Sequence, residues 1–154
     1  MRFDKLTTKF QQAFSDAQSI AVGQDNPTIE PQHLLLALLQ QEDGSTLSLL
    51  QRSGVNTAAL LENLRQQMQR LPKVENSAGE VTISRSLNNL LNLSDKEAQK
   101  HSDQFIASEM FLLAALQDKG EISILLKQHG ASYAALSQAI HAVRGGEQVN
   151  SAEG

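Results

Sequence analysis

Near the N-terminus, Leu6, Phe10, Ala13, Phe14, Ala17 and Ala21 recur at spacings of three and four. That period belongs to one face of a helix and predicts an amphipathic helix over residues 3–22. The run Leu34 to Leu39 is apolar on every side and follows Pro31, which suits a first helical turn, so an interior helix begins there. A short helix over Leu47 to Ser53 stops at Gly54, a residue free to take a left-handed cap. Asn56 then caps a helix reaching about Arg70.

The same elements return. A shift of 77 residues lays Ile29 to Gln40 on Ile106 to Gln117, with identity at Ile29/Ile106, Leu35/Leu112, Leu36/Leu113, Ala37/Ala114, Leu39/Leu116 and Gln40/Gln117. It also carries the opening stripe onto Ile83, Leu87, Leu90, Leu91, Ser94 and Ala98. A shift of 76 lays Leu49, Leu50 and Gly54 on Leu125, Leu126 and Gly130. The second copy therefore predicts helices over 84–101, around Met110 to Leu116, before Gly130, and over 133–144. Only Val81 and Ile83 hint at strand. The reading is an all-α fold, a tandem pseudo-twofold repeat of two four-helix motifs with eight helices, whose two interior helices should meet near the axis.

Between the copies, residues 71–82 (LPKVENSAGEVT) carry the composition of a linker. Residues 145–154 (GGEQVNSAEG) are nearly without apolar side chains and read as a flexible tail. The expected organisation is one domain over 1–144, with repeat 1 at about 1–70 and repeat 2 at about 83–144.

Composition then removes function classes. With no cysteine, disulfide frameworks, thiolate metal sites and cysteine nucleophiles are excluded. The longest apolar run, Met110 to Leu116, is far short of the ~20 residues a bilayer requires, so a soluble, cytoplasmic domain without a membrane partner is expected. A net charge of −4 without a Lys/Arg cluster argues against nucleic acid. No phosphate loop is present, and Gly145-Gly146 is followed by Glu147. The four histidines do not share metal-ligand spacing. His101 and His129 read as helix C-terminal residues, and His33 as a packed or hydrogen-bonded one. No serine lies in a nucleophile elbow. Neither a catalytic residue nor a metal or cofactor site is indicated.

Comparing twins shows where one copy departs from the other. Leu93 replaces Asp16 and falls about 60° outside the core stripe of its helix, at ~100° per residue. Met110 replaces His33, and methionine suits surfaces that accept varied partners. The two predict a small apolar groove between the fifth and sixth helices, ringed by Asp95, Glu97, Asp103 and Glu109. Read structurally, Leu93 or Met110 packs under the loop over 102–107 or against the linker, Glu109 is a helix N-terminal carboxylate, and Asp103 is a turn residue.

The segments MRFDKLTTKF, DAQSIAVGQDN, IEPQHLLLALL, FIASEMFLLAAL and RGGEQVN together resemble the N-terminal domains of ClpB-type (Clp/AAA+) protein disaggregases, over nearly the whole chain. The doubled IEP-type helix is shared with ClpA and ClpC N-domains. The resemblance implies a non-catalytic module tethered to a hexameric AAA+ ring, which captures unfolded or aggregated polypeptides. ATP and Mg would then be bound by other domains and not by this chain. It implies client contacts at Thr7, Leu91, Leu93, Glu97, Asp103, Glu109 and Met110. Glu97 departs from the family, which commonly has an apolar residue there, and would interrupt the groove and favour clients carrying positive charge. An adaptor-docking domain of the ClpA or ClpC kind is the alternative.

Overall fold

A cap decides where the first helix starts. In the computed structural model, which describes residues 2–75 and 80–154, Phe3–Lys5 makes one 3-10 turn and Leu6 is extended. Helix α1 (Thr8–Gly23) begins after Thr7, whose hydroxyl accepts from the Phe10 N–H at 3.3 Å. The expected start at residue 3 is thereby corrected, because Leu6 is drawn out of the helical path to pair with another segment.

That pairing crosses between the copies. Leu6 forms a parallel bridge with Ile106, while β1 (Thr28–Ile29) pairs in parallel with β2 (Thr82–Ile83), setting Ile29 opposite Ile83. Leu6 is the twin of Ile83 and Ile29 the twin of Ile106, so the lead-in to the first helix of each copy binds the lead-in to the second helix of the other. The bonds match one for one: the Thr7 N–H donates to the Ile106 carbonyl at 3.0 Å and the Ser84 N–H to the Ile29 carbonyl at 3.1 Å. Ser84 then caps its helix as Thr7 does.

The remaining helices are α2 (Pro31–Gln40), α3 (Thr46–Arg52), α4 (Thr57–Gln69), α5 (Arg85–Lys100), α6 (Ser108–Gln117), α7 (Glu121–Gln128) and α8 (Tyr133–Arg144). The eight α-helices among the described residues agree with the repeat. Helix α2 packs chiefly on α1 and α6 on α5, with every residue from Pro31 to Leu39 and from Met110 to Leu116 buried. Phe10 and Phe111 meet in the core with ring centroids 6.2 Å apart. Across the axis, the more extensive helix contacts are α3 with α8 and α4 with α7, rather than α2 with α6 as expected. Gly54 and Gly130 both take positive φ where these crossed pairs turn, and a Cβ on Gly130 would come within 3.2 Å of the Gly54 carbonyl. A left-handed, closely approached position of this kind is suited to glycine.

The segment following each last helix folds back. Of the expected linker, 76–79 lie outside the described residues, but its start is tied down: Pro72 accepts from Asn26 Nδ2 at 2.9 Å and the Val74 N–H donates to Asp25 at 2.8 Å. Residues 145–154, expected to be a flexible tail, do the equivalent on the second copy. Val149 is buried, its carbonyl accepts from the N–H groups of Gln104 (2.8 Å) and Phe105 (3.2 Å), and Ala152 accepts from Thr8 (2.9 Å). Val149 is the twin of Pro72, which is why a polar, glycine-rich stretch is held in place. Removing residues 148–154 should lower stability by about 2 kcal/mol, the order expected for exposing one valine. A urea or thermal melt of the shortened chain checks this, and an unchanged midpoint would contradict the docking.

Candidate functional site

Two polar networks occupy equivalent places, one neutral and one ionic. In the first copy, Asp25 takes a positive φ of 60°, and the next residue, Asn26, is buried against His33. His33 Nδ1 accepts from the Glu30 N–H (2.8 Å), so its proton resides on Nε2, which donates to Asn26 Oδ1 (2.8 Å). Burial, aided by Lys73 and partly opposed by Glu30, lowers the imidazole pKa to about 4. The reading of His33 as a packed, hydrogen-bonded residue is what the geometry shows. Close by, Gln32 Nε2 donates to Gln67 Oε1 at 2.9 Å.

In the second copy, Ser102 repeats the left-handed turn with φ 59°, and three of the polar residues have become charged. Asp103 stands for Asn26, Glu109 for Gln32 and Arg144 for Gln67. Arg144 Nη1 donates to both Asp103 oxygens (3.1 and 2.9 Å), while Nε and Nη2 donate to Glu109 Oε2 (3.2 and 3.0 Å). The Asp103 side chain is fully buried and also accepts the Val149 N–H, which ties the tail to the triad. Sequence reasoning found the two acids but missed Arg144. The signal was present in the three polar columns that pair at the 77-residue shift.

The predicted apolar groove between α5 and α6 is corrected. Met110 and Leu91 are wholly buried, Met110 at the position His33 holds in the first copy. Leu93 is half-buried and packs on the edge of the core. Glu97, expected to break the groove with a free charge, is instead 3% exposed: its carboxylate accepts from Tyr133 Oη at 2.8 Å and pairs with Lys100 at 3.3 Å. Burial first, then the bond to Glu97, raises the Tyr133 phenol above its usual pKa. The four side chains expected along α5 and α6 therefore do not form one surface.

Surface concavities lie elsewhere, and they too are twins. One, of about 440 Å³, runs between the start of α1, the α2–α3 loop, the start of α6 and the end of α8. Thr7, Glu109 and Arg144 line it, and Val143, 60% exposed, stands at its border. The other, of about 420 Å³, runs between the start of α2, helix α5 and the α6–α7 loop, with Gln32, Glu30, Asp118 and Glu121 in its walls. Thr7 and Glu109 line the first of these, with Asp103 buried behind it on Arg144, whereas Leu91, Leu93, Glu97 and Met110 are not in its walls. His101 and His129 sit at the C-caps of α5 and α7, as expected. Among the described residues no helix is long and apolar enough to cross a membrane.

The family model of the Clp repeat (R) N-terminal domain matches residues 5–129. The chain belongs to the Clp repeat N-terminal domain family. It is 48% identical over 152 residues to the chaperone protein ClpB of Pseudomonas putida, covering 99% of this chain and 18% of that protein. It is 47% identical over 150 residues to ClpB of Vibrio cholerae, covering 97% of the chain and again 18% of the relative. The chain accordingly spans about a fifth of the length of the curated relatives it matches. Among solved structures, the N-terminal domain of Hsp104 from Candida albicans superposes with a TM-score of 0.83 at 21% identity, covering 96% of this chain and 97% of that one. A ClpV N-domain solved in complex with a VipB peptide gives 0.67 at 17% identity, covering 94% and 89%.

Two outcomes follow for this Clp N-domain. Arg144→Met strands two carboxylates and should destabilise it by about 3–5 kcal/mol. The triple exchange Asp103→Asn, Glu109→Gln, Arg144→Gln installs the first copy's amides and should recover most of that loss in a urea titration. For His33, the folded pKa lies below the unfolded value of about 6.5, so between about 6.5 and about 4 only the unfolded chain gains the proton. Stability should fall as pH drops through that window and stop falling from this cause below it. His33→Met, the twin's residue, should flatten that part of the profile of unfolding midpoint against pH.

Proposed function

We propose that this domain captures exposed segments of unfolded or aggregated polypeptide for a ClpB-type ATP-dependent chaperone, without catalysing a reaction itself. The observation that carries the reading is the cleft beside Thr7 and Glu109, where an exposed apolar side chain, Val143, adjoins fixed polar groups. Such a surface offers a client backbone hydrogen bonds and an apolar contact without demanding a sequence. Asp103 acts there through Arg144, which it holds in place beside Glu109. Leu91 and Met110 support the site from within the core, and Leu93 extends an apolar edge along α5.

Energetics favour brief capture. Burying one valine contributes about 1.5–3 kcal/mol, whereas association costs at least ~4 kcal/mol in lost freedom. Several domains tethered to one AAA+ hexamer would compensate through effective concentration, and weak holding permits hand-off. ATP and Mg would be bound in the ring. Folded-adaptor docking, as in ClpA or ClpC, is the second reading, and the ClpV N-domain relative with its bound VipB peptide favours a dedicated peptide partner.

Val143→Asp should weaken binding of a permanently unfolded model protein by ~10-fold, about 1.4 kcal/mol, with the helical circular dichroism unchanged. Leu93→Asp measured in parallel locates the apolar contact. Loss with Leu93→Asp alone would move the site to α5, and retention in both variants would remove the capture reading.

A further inference from the structure

Residues 147–153 are held against the body in the way an unfolded polypeptide would be. Among the described residues of 145–154, Val149 alone is buried, and no helix or strand includes any of them. What holds the segment is chiefly backbone. The Val149 carbonyl accepts from the Gln104 and Phe105 N–H groups at 2.8 and 3.2 Å, and the Ala152 carbonyl accepts from the Thr8 N–H at 2.9 Å. Two further bonds involve side chains: the Val149 N–H donates to Asp103 Oδ1 (3.0 Å), and the Thr8 hydroxyl donates to Glu153 Oε1 (2.9 Å).

Main-chain carbonyls and one apolar side chain are features that almost any polypeptide carries, so this seat selects little for the sequence that fills it. It lies at the cleft beside Thr7, which Glu147, Gln148, Val149 and Gly154 line together with Glu109 and Arg144. While the segment is seated, the N–H groups of Thr8, Gln104 and Phe105 are taken. A covered main-chain donor needs a partner, so a chain that removes the segment must bring carbonyls in its stead.

The bend leading into the segment is free to turn. Gly145 and Gly146 both take positive φ, 62° and 86°, with open space where a Cβ would stand. Packing does not fix the path there, and glycine exchanges left-handed for right-handed backbone at little cost. At the 77-residue shift the two glycines stand where α4 of the first copy has Met68 and Gln69, still within the helix. The hinge belongs to the second copy.

We propose that residues 147–153 are a strap, hinged at Gly145 and Gly146, which closes on the cleft beside Thr7 and yields its place to client polypeptide. The proposal rests on the capture reading and gives it a threshold. Apparent client affinity scales with the fraction of chains whose strap is open, so a client must offer carbonyls and an apolar side chain together to displace it.

The test is a titration of the isotopically labelled 154-residue chain with reduced, carboxymethylated lactalbumin, which stays unfolded, followed by nuclear magnetic resonance. At saturation the Val149 and Ala152 resonances should move to random-coil positions. The Val149 amide should lose at least ~10-fold of its protection from hydrogen exchange, while Leu136 and Ile140 in α8 keep theirs. Val149→Ser, which removes the buried methyl groups and leaves the helices alone, should tighten lactalbumin binding by ~10-fold as it lowers the thermal midpoint. A packing role alone would lower the midpoint without tightening. Lactalbumin bound with Val149 still protected, or held no more tightly by the Val149→Ser chain, would overturn the strap and leave capture standing. Binding by neither chain would remove capture, and the strap exchange with it.

Discussion

The crossed pairing of Leu6 with Ile106 and of Ile29 with Ile83 is the constraint on which the rest of the molecule depends. These are lead-in segments, too short to be strands on their own, whose backbone groups need partners once they are covered. Each copy can satisfy them only with the other copy's segment. The pairing fixes where Thr7 and Ser84 stand, hence where α1 and α5 begin, and so which faces of those helices meet α2 and α6. Neither four-helix motif has its lead-in groups paired without its twin.

Around this frame the copies solve one packing problem with two chemistries. Asn26, Gln32 and Gln67 are neutral amides, Gln32 bonded to Gln67 and Asn26 to Pro72, whereas Asp103, Glu109 and Arg144 meet as ions. A buried ionic set costs desolvation that its own attraction offsets only when geometry and additional hydrogen bonds are good. Here Arg144 makes four bonds to the two acids, and Asp103 gains the Val149 N–H as well. The ionic copy thereby recruits residues 148–152 as a structural part of the domain. The neutral copy uses Asn26 and His33 to do the same with Pro72. A fold-back after the last helix is thus a property of the repeat.

The division also shapes the surface. Where the ions are internally matched, the cleft presents polar groups already held in place beside an exposed valine. Among the described residues, the cleft over the neutral interior is lined by carboxylates and by no basic side chain. Duplication has therefore yielded two concavities of similar size and different charge. Glu97 and His33 are buried and hydrogen-bonded, so each serves packing at a position where composition alone leaves room for a functional charge.

By itself the sequence determined the eight helices, the repeat and the interior character of α2 and α6, because apolar period and caps are local and the 77-residue shift compares like with like. Thr7 entered as a client contact through the family resemblance alone, and Asp103 and Glu109 read by themselves as a turn residue and a helix N-terminal carboxylate. Only tertiary structure decided which of the polar residues carry free charge, since that depends on partners distant in the chain: Arg144 lies 41 residues from Asp103, and Tyr133 lies 36 from Glu97. It likewise turned Met110 inward and seated residues 145–154, whose sparse apolar content reads as disorder until Val149 is seen in the place of Pro72. Periodicity tells which face of a helix is apolar, but not what covers it, because covering is done by segments that no local pattern links.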